Sequence, residues 1–358
     1  MHTKLFIPGP TEVREEVLQA QTHPMIGHRS QAFSELFESV TETLRNLLQT
    51  RAEVLIFTSS ATGVMEGAVR NLVNRRLLST INGAFSQRWA QIARANGKEV
   101  DTIEVAWGKA VKPEMLAEKL EPGKYEAVLL THNETSTGVM NPIAELAQVV
   151  REKSPDTLIL VDAVSSLMGA PIDFDGWGLD VVLASTQKCF ALPPGLTVTL
   201  VSERALKKAE TVEHRGYYFD FLLQRRYYQE RHQTPATPAI SLLYALQYQL
   251  QRIQEETLER RYARHREMAE IARAWARKYF ALFAEPGYES PTVTTITNTR
   301  GISVKDLNQA LAQRGFTLSN GYGKLKEKTF RIGHMGDLTP GELRELLAAI
   351  NDILNLEA

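Results

Sequence analysis

An α/β chain with a mostly parallel sheet, followed by a smaller C-terminal α+β unit, is the fold class this sequence predicts. Three observations carry it. From about residue 50 to 200, short apolar runs alternate with amphipathic helical stretches, the pattern of a sheet with helices on both faces. After residue 203 the texture turns aromatic, basic and irregular, ahead of a long charged helical stretch. The last hundred or so residues return to strand and helix signals on a smaller scale.

In order, "EVLIFTSS" leads into helical "ATGVMEGAVRNLV", "RRLLSTING" into "AFSQRWAQIARANG", and "YEAVLLTH" through a polar loop into "PIAELAQVVREK". "TLILVDAVSS", "DVVLASTQK" and "LTVTLVS" complete the strand series. "DVVLAST" is short, apolar and β-branched, as a parallel strand buried on both faces should be. "PAISLLYALQYQLQRI" starts a helix with Pro238 near its first turn. The charged stretch "EETLERRYARHREMAEIARAWARKYF" is expected to continue as a long helix with Ile253, Tyr262, Ile271 and Trp275 on its apolar face. Its interspersed glutamates mark the other face as solvated rather than as a nucleic-acid or membrane surface. In the small unit, "TVTTITNT" and "TFRIGHMG" read as strands and "SVKDLNQALAQRG" as a helix. A final helix opens at "TPGEL", with Thr339 as the capping hydroxyl, Pro340 in the first helical position and Glu342 completing a capping box. The expected division is an N-terminal arm (1–20), a large domain (21–255) and a small domain (256–358), with a ligand-binding cleft between the last two.

Forty-one Lys and Arg against 42 Asp and Glu leave a net charge of −1 over 358 residues, which implies no polyanionic partner. Cys189 is the single cysteine, so no internal disulfide can form, and a reducing cytosol suits the chain. The start, "MHTKLFIPGPTEVREEV", lacks the apolar core of a signal peptide. No run approaches the ~20 apolar residues of a membrane helix. A soluble cytoplasmic protein is expected, with no metal centre and with neither nucleic acid nor membrane among its partners.

"LASTQKCFALPPG" puts Lys188 straight after a buried strand and before a turn signal. Open α/β sheets build their sites at the carboxyl ends of strands. Most lysines are solvated surface charges, so position alone assigns no role. Three other strand ends carry polar residues. Asp162 closes "LILVD"; "VLLTHNETSTG" runs into His132, Asn133, Glu134, Thr135 and Ser136; and Ser59 to Gly63 lead directly into a helix. A hydroxyl- and glycine-rich helix start presents free N–H groups and the positive end of the dipole to an anion. The loop is neither G-x-G-x-x-G nor G-x-x-x-x-G-K-[ST], so nucleotide readings lose their motif.

Each feature alone has a plain structural account, as an N-cap or a loop-holding aspartate. Together they meet the needs of pyridoxal 5'-phosphate: an anion cradle for the phosphate, a carboxylate for the ring nitrogen and a lysine for the Schiff base. Burial and neighbouring positive charge would lower the pKa of Lys188 and free its amine as nucleophile and later as general base.

The chain resembles the class V aminotransferases of the fold-type I pyridoxal-phosphate superfamily, closest to the alanine/serine–glyoxylate branch. The matching stretches are "PGPT", "GHRSQAF", "TSSATGVMEGA", "NGAFSQR", "LTHNETSTGV", "VDAVSSL", "STQKCFALPPG" and "FRIGHMG", in family order over nearly the whole length. The resemblance implies a large domain with a mostly parallel seven-stranded sheet. It implies that Lys188 carries the cofactor and that Asp162 binds its ring nitrogen. Ser60, Ala61 and Thr62 would form the phosphate loop, with Ala61 replacing the glycine often found there. Phe85 would stack on the ring, Thr135 would bond its oxygen and Gln187 would contact the phosphate. Gln233 and Thr234, in "HQTPATP", would reach the neighbouring subunit's phosphate, which implies a homodimer with shared sites. Arg331 would hold the substrate carboxylate, a task suited to a planar guanidinium.

The implied activity is ping-pong transfer of an amino group from alanine or serine to a 2-oxo acid such as glyoxylate or pyruvate. "GHRS" also resembles phosphoserine aminotransferases, so His28 and Arg29 could meet a second anionic group of aspartate or phosphoserine. Arg215, Tyr217 and Tyr218 could line the substrate mouth or merely pack. Cysteine desulfurase is set aside: Gln187 rather than histidine precedes the lysine, and Cys189 beside it is badly placed to attack a substrate. An inactive binding protein that kept the fold is the alternative outside catalysis, and intact Lys188, Asp162 and Arg331 speak against it.

Overall fold

The apolar runs become strands and the amphipathic stretches become the helices that cover them. A computed structural model of the chain describes residues 2–356. The first elements are β1 (Lys4–Phe6), α1 (Glu15–Gln19), α2 (Gln31–Leu47), β2 (Glu53–Thr58), α3 (Ala61–Leu72), β3 (Arg76–Ile81), α4 (Ala84–Ala95) and β4 (Glu99–Glu104). Next come α5 (Pro113–Lys119), β5 (Ala127–Thr131), β6 (Asn133–Glu134), β7 (Val139–Met140), α6 (Ile143–Lys153), β8 (Leu158–Asp162), β9 (Val181–Ser185) and β10 (Leu196–Val201). Four helices follow: α7 (Glu203–Glu210), α8 (Phe221–Arg231), α9 (Ile240–Glu256) and α10 (Leu258–Tyr279). The chain closes with β11 (Ala281–Leu282), β12 (Val293–Thr297), α11 (Val304–Gln313), β13 (Phe316–Asn320), β14 (Thr329–Gly333) and α12 (Pro340–Leu354).

Seven strands form the large sheet in the order β2-β10-β9-β8-β5-β3-β4. All ladders from β9 to β4 are parallel, while β10 runs antiparallel to both β9 and β2. β5, β8, β9 and β10 are buried along their whole length, as continuous apolar strands between two helical layers must be. One core packs α2 and α9 against one face of the sheet, and a second packs α3 and α7 against the other. The fold class is therefore as the sequence predicts, an α/β sheet of seven strands with a smaller sheet at the C-terminal end.

That smaller sheet holds five strands in the order β1-β13-β14-β12-β11. Its edge strand β1 comes from within the segment expected as an N-terminal arm and pairs in parallel with β13. The final helix starts as expected: Thr339 Oγ1 accepts the Glu342 N–H, Glu342 returns a bond to the Thr339 N–H, and Pro340 occupies the first turn.

The long charged stretch departs from expectation. It is not one helix with Ile253 on its face, because Thr257, at φ +66°, ends α9 and caps α10 through its hydroxyl. Ile253 is buried on α9, and Tyr262 and Ile271 are only half-buried. The inward face of α10 carries Trp275, as expected, together with Arg261, His265, Met268 and Ala272. Arg261 is tolerated there because Asp337 (2.9 Å), Glu256 (2.7 Å) and the Cys189 carbonyl (2.7 Å) take its guanidinium protons. Among the described residues no helix is long and apolar enough to cross a membrane.

Three histidines are buried in neutral form. His265 accepts the Gly336 N–H at Nε2 (3.0 Å) and so holds its proton on Nδ1, against the Arg261 carbonyl (2.7 Å). His334 shares a 2.8 Å bond with Thr294, and His132 lies against Trp177. Desolvation lowers His132 to about 4 and His334 to about 3; desolvation, with Arg261 and Arg264 nearby, takes His265 well below its usual value. Below pH ~6.5 the unfolded chain binds protons at these sites that the folded chain does not, so stability falls with falling pH. Asp162, raised to about 7 by burial, acts in the opposite sense and offsets one of the three. The expected result is a stability loss of about 2–3 kcal/mol per pH unit between about pH 6 and 4, read from denaturant unfolding across that range. A flat profile would contradict the neutral burial.

Candidate active site

The parallel register brings the chemistry to one edge. Thr131 pairs with Asp162 and Asp162 with Leu183, so β5, β8 and β9 end together, and Lys188 follows three residues beyond the end of β9. Around these ends lies a cavity of about 300 Å³, lined by both sequence-expected and unexpected residues. Ser60, Ala61, Thr62, Phe85, Thr135, Asp162, Gln187 and Lys188 were expected; Arg88, Tyr322 and Gly9 were not.

The floor is the start of α3. Ser60 is its N-cap, yet the Ser60 hydroxyl makes no capping bond, and Ser185 Oγ takes the Ala61 N–H instead (2.7 Å). The Ala61 N–H is thus spent on Ser185 and the Gly63 N–H on the Ser60 carbonyl, which leaves the Thr62 N–H and the hydroxyls of Ser60 and Thr62 at the positive end of a 12-residue helix. Gln187 lines the same cavity, with its Oε1 buried and unpartnered.

Asp162 is buried, and its Oδ1 accepts the Val164 N–H (2.9 Å). Desolvation raises its pKa to about 7; Glu134 adds to the rise, and Lys188 and Arg88 oppose it. Desolvation lowers Lys188 to about 8, with Arg331 and Arg88 acting the same way and Asp162 against. The Lys188 ammonium donates to the Pro8 carbonyl. The next residue must be glycine: at φ +130°, a Cβ on Gly9 would lie 2.5 Å from both Cε and Nζ of Lys188.

Phe85 sits in the first turn of α4, and Glu134 holds that turn. The Glu134 carboxylate is fully buried and accepts from the N–H groups of Phe85, Ser86 (2.8 Å) and Ser136 (3.1 Å) and from the hydroxyls of Ser86 (2.8 Å) and Ser136 (2.7 Å). It thus joins α4 to the loop that carries Thr135, whose hydroxyl meets Ser165 Oγ at 2.7 Å. The Phe85 ring lies 5.2 Å from that of Tyr322, and the Arg88 guanidinium lies 4.9 Å from the Phe85 centroid.

Arg331 stands just behind the lining. It is 7% exposed, donates to the carbonyls of Asn320 (3.1 Å) and Thr135 (3.3 Å), and lies 5.6 Å from the Tyr322 ring. Desolvation lowers its pKa to about 10. Its ion-pair partners among the described residues include no carboxylate within 4.0 Å.

The remaining expected residues cluster elsewhere. None of His28, Arg29, Gln233 and Thr234 lines the cavity of its own chain. Arg29 donates to Gln233 Oε1 (3.3 Å) and to the carbonyls of Thr234 (2.5 Å) and Pro235 (3.0 Å), and His28 approaches Thr237. Arg215 is likewise used structurally, on the carbonyls of Ala209 and Val212. Tyr218 bonds the Thr58 carbonyl (3.0 Å), and Tyr217 is exposed. Cys189 is buried in the core, where desolvation pushes its thiol up to about 12, so it packs rather than reacts.

The sequence profile described as aminotransferase class-V matches residues 11–325. The chain belongs to the class-V aminotransferases. An uncharacterized aminotransferase of Methanocaldococcus jannaschii is 38% identical over 97% of this aminotransferase and 91% of its own length. A serine–glyoxylate aminotransferase of Methylorubrum extorquens is 35% identical, over 93% and 86% respectively. The crystal structure of an alanine–glyoxylate aminotransferase from Nostoc superposes with a TM-score of 0.93 at 30% identity, covering 99% of this chain and 96% of that one. This aminotransferase uses pyridoxal 5'-phosphate, and its residues fit that group: an unspent N-cap hydroxyl, a buried carboxyl short of a cation and an amine near its neutral point meet in one cavity.

Two outcomes follow. With Lys188 as the lysine that takes the cofactor, uptake by stripped enzyme would need its neutral amine, so the rate should rise with pH to a plateau above about 8, as stopped-flow absorbance would report. An unperturbed lysine would keep the rate rising past pH ~10. Glu134→Gln turns a donor toward donors and should cost roughly 2–4 kcal/mol, seen as a lowered denaturation midpoint.

Proposed function

We propose that this aminotransferase takes the amino group of a small amino acid, alanine or serine, and passes it to a 2-oxo acid such as glyoxylate or pyruvate, in two half-reactions at one site. The observation that carries this reading is Arg331: a buried guanidinium, bonded only to backbone carbonyls, beside a cavity of about 300 Å³. A buried cation without a counter-charge is costly, and a substrate α-carboxylate supplies one. The serine–glyoxylate and alanine–glyoxylate relatives support the choice of substrates.

When bound, pyridoxal phosphate supplies an aldehyde for the amine and a ring that draws electrons from the substrate Cα. The chain's own residues do the rest. Ser60, Ala61, Thr62 and Gln187 would take the phosphate, Asp162 the ring nitrogen and Thr135 the ring oxygen. Phe85 would cover one face of the ring. A cationic ring nitrogen against Asp162 would bring that carboxyl back to its ionised form. Lys188, oriented by the Pro8 carbonyl, would hold the cofactor and then take the Cα proton on its freed amine. Gln233 and Thr234 would act on the neighbouring copy's phosphate in a homodimer; their absence from their own chain's cavity supports this, as do exposed Met25 and Tyr217. Arg29 would hold that loop rather than a substrate, since its guanidinium is spent on the loop's carbonyls. The division into arm, large and small domain fits this site, which receives Tyr322 from the connection between β13 and β14. A cytoplasmic enzyme is proposed with it, the lone thiol of Cys189 suiting a reducing compartment.

The test is to mix holoenzyme separately with alanine, serine, glutamate and phosphoserine and follow loss of the visible cofactor band. Alanine or serine should convert it fastest. Arg331→Gln should lower kcat/KM by roughly 100-fold or more, the worth of a bidentate charge-assisted pair. Fast conversion by phosphoserine alone would overturn the substrate assignment.

A further inference from the structure

We infer that Arg88 and Tyr322 form a second carboxylate subsite, which extends the donors of this enzyme to C4 dicarboxylic amino acids. The inference rests on the transamination reading above and concerns the same cavity. Arg88 follows Phe85 by one turn of α4, and both residues line the cavity. Its Nη2 donates to the Tyr322 hydroxyl at 2.9 Å, and its guanidinium packs 4.9 Å from the Phe85 centroid. Its partners among the described residues are that hydroxyl and that ring, with no carboxylate at ion-pair distance.

Charge accounting gives the guanidinium its task. Lys188, Arg88 and Arg331 place three cations at or beside the cavity, against Asp162 as the carboxylate of the lining. Glu134 acts on Asp162 and Arg331 through its charge, but its oxygens are held by N–H and hydroxyl donors of α4 and Ser136 and it makes no ion pair with Arg88. With the cofactor in place, Lys188 would hold it, Asp162 would take its ring nitrogen and the start of α3 its phosphate. The α-carboxylate of a donor answers Arg331. Arg88 is left as a half-buried cation without a counter-ion, and a second carboxylate on the donor matches it in charge and in fork geometry.

Position agrees with charge. Tyr322 stands between the two arginines, bonded to Arg88 at its hydroxyl and facing Arg331 with its ring at 5.6 Å. The two guanidiniums share that side chain as a neighbour, so a donor with two carboxylates would meet a cation for each. Alanine or serine would use Arg331 alone. His28 and Arg29, the sequence-based candidates for a second anion site, do not line this cavity.

The experiment titrates holoenzyme with maleate, a C4 dicarboxylate, and with propionate, a monocarboxylate, and compares wild type with Arg88→Gln, Arg88→Lys and Tyr322→Phe. The aspartate-to-alanine ratio of kcat/KM is measured alongside. Arg88→Gln should raise the maleate Kd at least tenfold and the propionate Kd far less, and the kcat/KM ratio should fall at least tenfold. Arg88→Lys should recover part of both, and Tyr322→Phe should weaken maleate by a smaller factor. Maleate binding within twofold of wild type in Arg88→Gln would overturn the subsite. So would equal loss of both probes, or loss of cofactor retention, which would assign Arg88 to Arg331 or to the cofactor. If Arg88→Gln does not fold, the Arg88→Lys and Tyr322→Phe series decides by the same ratios. Wild-type enzyme that binds maleate through Arg88 yet converts no amino acid would sink the transamination reading and leave the subsite standing.

Discussion

Parallel pairing of β5, β8 and β9 is the constraint from which the site follows. With Thr131 opposite Asp162 and Asp162 opposite Leu183, the strands end at one edge and their loops leave from one side. The reversed strand β10 completes the arrangement. Because β2 and β9 are both antiparallel to it, β2 runs with the parallel set and delivers the start of α3 to the same edge. A one-residue slip between β8 and β9 would turn Asp162 to the other face. Full burial of both strands forbids that slip, since each face is packed against helices.

Burial then sets the chemistry. Asp162 rises to about 7, Lys188 falls to about 8 and Arg331 to about 10, each pushed toward its neutral form by lost hydration. Such a cavity is poised for a ligand that brings its own complementary charges. Glu134 shows the opposite treatment. Equally buried, it is surrounded by N–H and hydroxyl donors and serves as a fixed joint between α4 and the Thr135 loop.

Much of this was legible in the sequence because parallel strands advertise themselves. Five-residue runs such as "AVLLT", "LILVD" and "VVLAS" have no polar alternation to confuse them, and a polar residue at the end of each stands out. Strand β4, "EVDTIE", is an edge strand with no fully buried residue, so its polar half hides it. Strand β13, "FTLSN", has only Leu318 buried and follows the visible helix α11 closely. The break at Thr257 is invisible to periodicity because α9 and α10 are both rich in helix formers. Arg88 and Tyr322 were missed for a different reason. An arginine one turn beyond Phe85 looks like any solvated helix residue until the small sheet brings Tyr322 to it, and that contact spans more than 200 residues of sequence.

The first strand has a consequence for how the site is assembled during synthesis. β1 pairs with β13, roughly 300 residues away, and Pro8 and Gly9, just after β1, form the wall against Lys188. On the ribosome, the large sheet can close as soon as β10 has emerged, whereas β1, made before that sheet, waits for β13, made after it. The wall that orients the Lys188 amine is therefore among the later parts to settle, a long-range closure of the slow kind. A nascent chain would carry its lysine unaligned until β13 has emerged.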